Sequence, residues 1–282
     1  MLRNVSLIEV ERDGGTIAVE TTGTGPLVLC VPGMGESRAS FRHLAPGLVD
    51  AGYRAATMDL RGHGDSTTGF DAYDDPAAAG DVLAVIDALG GGPAAIVGNS
   101  MGAAAAVIAA AARPDAVSRL VLIGPFVRDH GSVAGRLLLR VLLARPWGPP
   151  VWRGYYRSLF GERLPADHAG HVTRALALLR RPGRWRAFQR TSRTSHAPAE
   201  AALPKVEAAT LVVMGDRDRD FADPEAEAAW VARALRGEHR MIAGAGHYPM
   251  AEQPDEVMAA VLPFLAGVPG ERRADGGEAS HG

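Results

Sequence analysis

A serine stands between two glycines in residues 98–102, which read Gly-Asn-Ser-Met-Gly. The apolar run 94–97 precedes this segment and an alanine-rich stretch follows it, so the pattern predicts a strand, a sharp turn and a helix. The glycines keep side chains out of a close strand–helix approach, and Ser100 is presented at a helix N-terminus whose free amides can stabilise an oxyanion. This arrangement favours nucleophilic attack by the serine hydroxyl. The alternative is a serine that only caps the following helix.

A serine hydroxyl is inert at neutral pH without a base, and a histidine and several aspartates follow later in the chain. His247 lies in a glycine-containing loop after the last predicted strand. Asp216, Asp218 and Asp220 follow the apolar run 210–214. Any of these aspartates could orient and stabilise the histidine without taking its proton. From their types and positions alone, the three remain in competition.

Two further motifs follow short apolar runs. They are Val-Pro-Gly-Met-Gly at 31–35 and Asp-Leu-Arg-Gly-His-Gly-Asp-Ser at 59–66. With the serine, aspartate and histidine segments, they resemble the α/β-hydrolases, in the branch of small esterases, carbon–carbon bond hydrolases and cofactor-free haloperoxidase-like enzymes. The resemblance covers residues 5–265, and the middle third matches poorly. It implies an α/β fold with a mostly parallel, doubly wound sheet of about eight strands, a helical cap inserted after the sixth strand, no cofactor and no metal.

The resemblance also implies roles for individual residues. Ser100 is the expected nucleophile and His247 the expected base. The family places its acid three residues after the glycine that ends the strand, which is Asp218, and Asp216 is the next choice. Some relatives carry the acid after the sixth strand instead, where this chain has Asp129.

The expected oxyanion hole consists of two backbone amides, those of Met34 and Met101. The sequence departs from the family here, because relatives usually have a histidine where this chain has Pro32. Proline has no N–H and a fixed φ, so it stiffens the loop. The donor after Gly33 should survive, whereas any contact of the usual histidine is lost.

The elements that must position these residues can be predicted from hydrophobic patterning. Alternating apolar and polar residues over 5–10 and 16–21 predict a β-hairpin. Beyond it, short continuous apolar runs favour strands buried on both faces of a parallel sheet. Such strands are expected at 27–31, 54–58, 94–98, 119–123, 210–214 and 239–242, with helices at 38–51, 76–89, 100–112, 224–236 and 252–265.

Residues 126–205 break this alternation and contain no strand pattern. Helices are expected at 133–143, 151–160, 167–180 and 184–193, with a rigid proline-rich connector at 146–150. We interpret residues 126–205 as the cap and residues 1–125 with 206–266 as the core domain. Residues 267–282 are polar and glycine-rich, which predicts a disordered tail.

The net charge of −2 hides an asymmetry between these two parts. The predicted cap carries 15 basic and 4 acidic residues, a net charge of +11, whereas the rest of the chain carries −13. Solvated arginine-rich helices would explain this balance, and so would a lid that attracts anionic or carrier-bound small-molecule substrates. No nucleic-acid recognition motif accompanies the charge, so nucleic acid is not expected as a partner.

Composition indicates a globular protein of 282 residues, 47% hydrophobic and 22% charged. Its single cysteine, Cys30, excludes an internal disulfide and lies in an apolar strand. No signal-peptide pattern is found at the N-terminus, and no apolar run reaches the ~18 residues of a membrane span. A cytoplasmic protein without a membrane partner is therefore expected. The 29 arginines beside one lysine suggest a GC-rich bacterial source, and nothing indicates the oligomeric state.

The motifs favour a serine hydrolase acting on an ester, a thioester or a carbon–carbon bond, and they do not separate these substrates. A serine at the turn disfavours the haloalkane dehalogenases and epoxide hydrolases of this fold, which use aspartate. Two alternatives remain: lyase, cyclase or perhydrolase chemistry at the same site, and a ligand-binding protein with a vestigial triad. A metal site at Asp59 and His63 lacks an evident third ligand, and a glycine-rich turn explains this segment better.

Overall fold

The computed structural model describes residues 5–90, 92–130 and 133–267, which contain eight strands. The strands are β1 Val5–Arg12, β2 Gly15–Thr22, β3 Leu27–Val31, β4 Arg54–Met58, β5 Ala94–Asn99, β6 Val117–Ile123, β7 Ala209–Gly215 and β8 Glu238–Ile242. They form one sheet in the order β1-β2-β4-β3-β5-β6-β7-β8. β2 pairs antiparallel with both β1 and β4, and all remaining pairs are parallel. The expected mostly parallel sheet of eight strands is confirmed.

Helices cover both faces of this sheet. They are α1 Leu44–Asp50, α2 Asp75–Ala88, α3 Met101–Ala112, α4 Val133–Leu142, α5 Gly148–Ser158, α6 His168–Arg180, α7 Arg184–Thr191, α8 Ala197–Ala202, α9 Pro224–Ala234, α10 Pro249–Glu252 and α11 Pro254–Leu265. Successive residues of β3 face opposite cores: Leu29 belongs to the core on the side of α2, α3 and α9, whereas Cys30 belongs to the core on the side of α1 and α11. This double burial is why the strands read as continuous apolar runs.

A helical cap, formed by α4 to α8, is inserted between β6 and β7. In its described part no strand forms, as the sequence predicted. Trp152, Tyr156 and Phe188 are buried and join the same core as α1 and α11. The cap is therefore attached to the sheet through an aromatic cluster, since buried aromatic side chains remove large apolar areas from water.

The structure departs from the predicted elements in several places. The helix expected over 38–51 is a short 3₁₀ turn followed by α1, because Pro46 cannot donate to the carbonyl of Arg42 four residues earlier. The expected connector 146–150 instead contains the start of α5, where prolines in the first turn lack only amides that need no partner. The six-residue α8 was not predicted.

The predicted disordered tail lies outside the described residues except for Gly267. Among the described residues, no helix combines the length and the apolar character needed to cross a membrane.

Candidate active site

Ser100 lies at the turn between β5 and α3 in a strained backbone conformation, with φ 56° and ψ −121°. A positive φ is rare for a residue with a side chain and costs about 1–3 kcal/mol, so the surroundings must impose it. The Ser100 amide donates to the carbonyl of Ile123 at 2.9 Å, which ties the turn to β6. The serine thus stands at the carboxyl end of the central strands.

The two flanking glycines are required by close backbone approach. A Cβ at Gly98 would lie 2.6 Å from the carbonyl oxygen of Gly102, and a Cβ at Gly102 would lie 2.3 Å from that of Val31. These distances are below any normal contact, so a side chain at either position would push α3 away from the sheet. The glycine spacing read from the sequence therefore has a direct steric cause.

His247 and Asp218 form a buried pair in the loops that follow β8 and β7. The Nδ1 atom of His247 lies 2.7 Å from Oδ2 of Asp218, and the two side chains are 2% and 0% exposed. The Glu252 carboxylate accepts hydrogen bonds from the amides of Gly246 and Tyr248 on either side of the histidine. Such bonds hold the imidazole in one orientation, with Nδ1 engaged and Nε2 left for another partner.

The electrostatics around His247 favour its protonated form. Burial lowers the pKa of His247, but the carboxylates of Asp218 and Asp220 outweigh burial and raise this pKa to about 9. Asp220 Oδ2 lies 3.6 Å from His247 Nδ1, so the imidazole faces two carboxylates. Burial in turn raises the pKa of Asp220.

The structure distinguishes the aspartates that competed in the sequence. Asp218 alone of the four lies within hydrogen-bonding distance of His247. Asp216 is on the surface and accepts from the amide of Gly244 at 2.7 Å. Asp129 accepts from the Ser195 hydroxyl on the cap, at 2.7 Å. Neither is therefore arranged to orient the imidazole.

The two expected oxyanion donors lie beside Ser100. Met34 and Met101 line the same cavity as the serine. Met101 is the first residue of α3, and the first amides of a helix have no partner within the helix. A Cβ at Gly33 would lie 2.8 Å from the Cβ of Ser100, so the loop that carries Met34 passes directly over the serine. Proline at position 32 leaves this approach intact.

Ser100 and His247 open into a cavity of about 380 Å³ beneath the cap. Its wall is mainly apolar, and its other lining residues are Met34, Met101, Phe126, Asp129, His130, Leu139, Leu142, Leu143, Val151, Trp152, Tyr155, Leu159, Thr191, Ser192, Thr194, His196, Asp220 and Tyr248. An apolar pocket with a few convergent polar groups is typical of small-molecule sites.

Sequence reasoning missed two contributors to this site. Gly124, at the end of β6, has φ 51°, and a Cβ there would lie 3.0 Å from His247 Nδ1. Tyr155, on α5, donates a hydrogen bond from its hydroxyl to Asp220. A lone glycine after a strand gives only a weak signal, and the tyrosine is 65 residues from its partner, so no local pattern could have linked them.

Two groups of side chains contain carboxylates and an imidazole, which are residue types that can bind a metal ion. Asp218, Asp220 and His247 place ligand atoms within 4.8 Å of one another, but the imidazole Nδ1 is already bonded to Asp218. In the turn after β4, the Asp59 carboxylate is paired with Arg38 and accepts from the Asp65 amide. Both sets are thus occupied by protein hydrogen bonds.

Comparison with known proteins identifies the class. The model of the alpha/beta hydrolase family matches residues 28–260, which is most of the chain. The chain therefore belongs to this family, and it is a hydrolase.

Individual relatives are similar to different extents. The chain is 29% identical to the pimeloyl-[acyl-carrier protein] methyl ester esterase of Stenotrophomonas maltophilia (strain R551-3), over 92% of this chain and 99% of that one. It is 36% identical to epoxide hydrolase B of Mycobacterium tuberculosis (strain ATCC 25618 / H37Rv), over 51% of this chain and only 35% of that one. A bromoperoxidase from Bacillus anthracis has the same fold, with a TM-score of 0.80, 20% identity and coverage of 93% and 100%.

Proposed function

We propose that this hydrolase cleaves a carboxylic ester or thioester of a small molecule through a Ser100–His247–Asp218 triad and an acyl-enzyme. The observation that carries the proposal is the buried 2.7 Å pair of His247 and Asp218, because its histidine lines the same cavity as the strained serine. The nucleophile, the base and the acid of such a triad must lie close together, and we assign these roles to residues from three different loops.

The reaction follows from these roles. As the Ser100 oxygen forms a bond to the acyl carbon, its proton passes to Nε2 of His247, and the amides of Met34 and Met101 stabilise the oxyanion. The leaving alkoxide or thiolate departs with that proton, which leaves an acyl ester on the serine. Water then attacks the acyl carbon with His247 as base, and the acid is released as Ser100 regains its hydrogen.

Two observations narrow the substrate. The residue at the turn is a serine, whereas the epoxide hydrolases of this fold that the chain resembles use aspartate there. One relative that is similar over nearly its whole length is named as a pimeloyl-[acyl-carrier protein] methyl ester esterase. Together with the +11 charge of residues 126–205, this favours an acyl substrate that carries an anionic group, free or on a carrier. We assign residues 126–205 as the lid that shapes the acyl pocket.

The test is hydrolysis of p-nitrophenyl esters from acetate to dodecanoate, with Ser100→Ala as the blank. We expect turnover that falls by roughly 10⁴-fold or more in Ser100→Ala, with an optimum at the chain that fills the cavity. Turnover retained by Ser100→Ala would rule out the acyl-enzyme. Isotopically labelled water separates hydrolysis from lyase or cyclase chemistry, because only hydrolysis places the label in the acid product.

A further inference from the structure

The cap carries an unusual share of the exposed apolar surface. Of the eleven large apolar side chains that are exposed among the described residues, nine lie between positions 137 and 164. Six of them come from α4 and the connection after it, and we call them the apolar ridge: Leu137, Leu138, Leu139, Val141, Leu142 and Trp147. Contiguous exposed apolar surface of this kind marks an interaction site, because isolated exposed residues would be scattered over the molecule.

The ridge continues into the proposed active site. Leu139 and Leu142 on α4, and Val151 and Tyr155 on α5, are at least 38% exposed. The same four side chains line the cavity that contains Ser100. An apolar molecule on the ridge could therefore enter the cavity without crossing a polar surface.

Arginines lie beside one end of the ridge, where Arg145 falls between Leu142 and Trp147 in the chain and the Trp185 indole of α7 donates to the carbonyl of Leu143. Two surface grooves share Arg145 and Trp185, and among the described residues no acidic side chain lines either groove. Their unpaired arginines form what we call the arginine rim: Arg145, Arg153, Arg180, Arg186 and Arg193. In the described part of the chain, no carboxylate pairs with any of these five guanidinium groups.

An apolar helix face bordered by unpaired arginines fits one kind of partner well. Interfacial helices lay their apolar face among acyl chains while basic residues bind anionic headgroups. We propose that the apolar ridge and the arginine rim form a docking surface for an anionic lipid bilayer, which sets the cavity mouth against the membrane. The sequence led us to expect no membrane partner because it lacks a spanning segment, but surface docking needs none.

This inference goes beyond the proposed function, since docking does not require Ser100. The experiment therefore uses full-length Ser100→Ala protein. Vesicle binding can then be interpreted even if the catalytic proposal is wrong. Flotation is measured with vesicles of phosphatidylcholine alone and with vesicles that contain equal parts of phosphatidylglycerol. The fluorescence of Trp147 reports on docking directly, because this side chain is 49% exposed while Trp152 and Trp185 are buried. Its fluorescence should shift to shorter wavelength on docking, and Trp147→Phe should remove that shift.

We expect binding to the anionic vesicles that weakens as salt is added. Leu138→Gln should weaken it about tenfold, and Arg145→Gln or Arg186→Gln about fivefold each. Leu7→Gln on β1 and Arg233→Gln on α9 are the matched controls, since these side chains are also exposed, and they should bind as the parent does.

Any one of several results would overturn the proposal. They are absence of binding to anionic vesicles, equal binding by the ridge, rim and control variants, and a dimer in solution that Leu138→Gln dissociates without any vesicle binding. Saturable binding to an acidic carrier protein in place of vesicles would also contradict it and would assign the surface to that partner.

Discussion

At the residue scale, the candidate site depends on side chains whose conformations the fold constrains. Ser100 keeps a positive φ, and the loop that carries Met34 passes against its Cβ. His247 is buried between two carboxylates. Strain and buried charge both reduce stability, and they persist at functional sites where preorganisation is needed.

The choice of acid among the aspartates can be tested with one matched pair of variants. Asp218→Asn should lower kcat by roughly 10⁴-fold, because the amide cannot hold His247 in the required tautomer. Asp216→Asn should keep nearly full activity, since the polar partners of this side chain in the described part of the chain are the Gly244 amide and Arg217. The rate of ester hydrolysis is measured for both variants. A greater loss in Asp216→Asn than in Asp218→Asn would show that Asp216, and not Asp218, is the acid.

The charge of Asp220, the second carboxylate beside His247, should affect the pH dependence of kcat/KM. His247 must be neutral to accept a proton, so kcat/KM should rise with pH up to the pKa of about 9 that Asp218 and Asp220 produce. Asp220→Asn removes one of these charges, so the rise should move to lower pH. Glu252 also faces the imidazole and remains in this variant. An unmoved profile in Asp220→Asn would show that Asp220 does not act on the imidazole by its charge.

At the scale of elements, the site is an assembly of loops at the carboxyl ends of parallel strands. Ser100 follows β5, Gly124 follows β6, Asp218 follows β7 and His247 follows β8. Adjacent strands in the order β5-β6-β7-β8 bring these loops together. Ligand sites in open parallel sheets characteristically lie at this edge.

The clearest prediction at the scale of elements concerns Gly124, which directly follows β6. In Gly124→Ala the new Cβ would lie 3.0 Å from His247 Nδ1 and 3.2 Å from Asp218 Oδ2, so the pair must shift. We expect a fall in kcat of about tenfold, because the pair must move by a few tenths of an ångström, which is less than the misplacement of roughly 1 Å that costs about 10²-fold. Gly52→Ala is the control, because Gly52 also has a positive φ but no atom within 4 Å of its Cβ position.

Both glycine variants should lose about 1–2 kcal/mol of folding stability from backbone strain alone. Thermal unfolding and ester hydrolysis together separate strain from displacement of the pair. Equal activity losses in the two variants would contradict a specific effect of Gly124 on the imidazole.

Local patterns in the sequence were sufficient for the sheet and for the motif loops. Strands that are buried on both faces leave continuous apolar runs. Gly98 is required by its contact with Gly102 within one turn, whereas Gly102 is required by the carbonyl of Val31 on β3. Asp220 was predicted only as a candidate acid, and its place as a second carboxylate beside the imidazole could not be recognised, because its neighbours Tyr155 and His247 come from other elements. Helix α8 was missed because six residues show too little periodicity, and the break before α1 depends on one proline.

At the scale of the whole molecule, buried polar contacts join the cap to the core. The Tyr156 hydroxyl on α5 donates to the buried carboxylate of Glu36, just after the oxyanion loop. His171 on α6 lies 3.3 Å from the same carboxylate. Burial and the Glu36 charge raise the pKa of Tyr156, so its phenol keeps the proton that it donates.

Removing this contact should loosen the cap as a unit. Tyr156→Phe leaves the Glu36 carboxylate with one hydrogen bond fewer, which should cost about 1–3 kcal/mol. For a chain of this size, Tm should fall by about 2–4 °C for each kcal/mol. Ser158→Ala, two residues further along the same helix, removes a hydroxyl that donates locally to the carbonyl of Tyr155 and should leave Tm nearly unchanged. Equal Tm values for these two variants would contradict a structural role of the Glu36 contact.

The measurement that tests the central claim most directly is covalent labelling with a fluorophosphonate, read by mass spectrometry of the peptides. The account predicts one equivalent of label, on Ser100, and none on Ser100→Ala protein. It also predicts much slower labelling of Asp218→Asn, since the serine is then poorly activated. Label on another residue, or an unlabelled Ser100 in protein that still hydrolyses esters, would contradict the proposed acyl-enzyme.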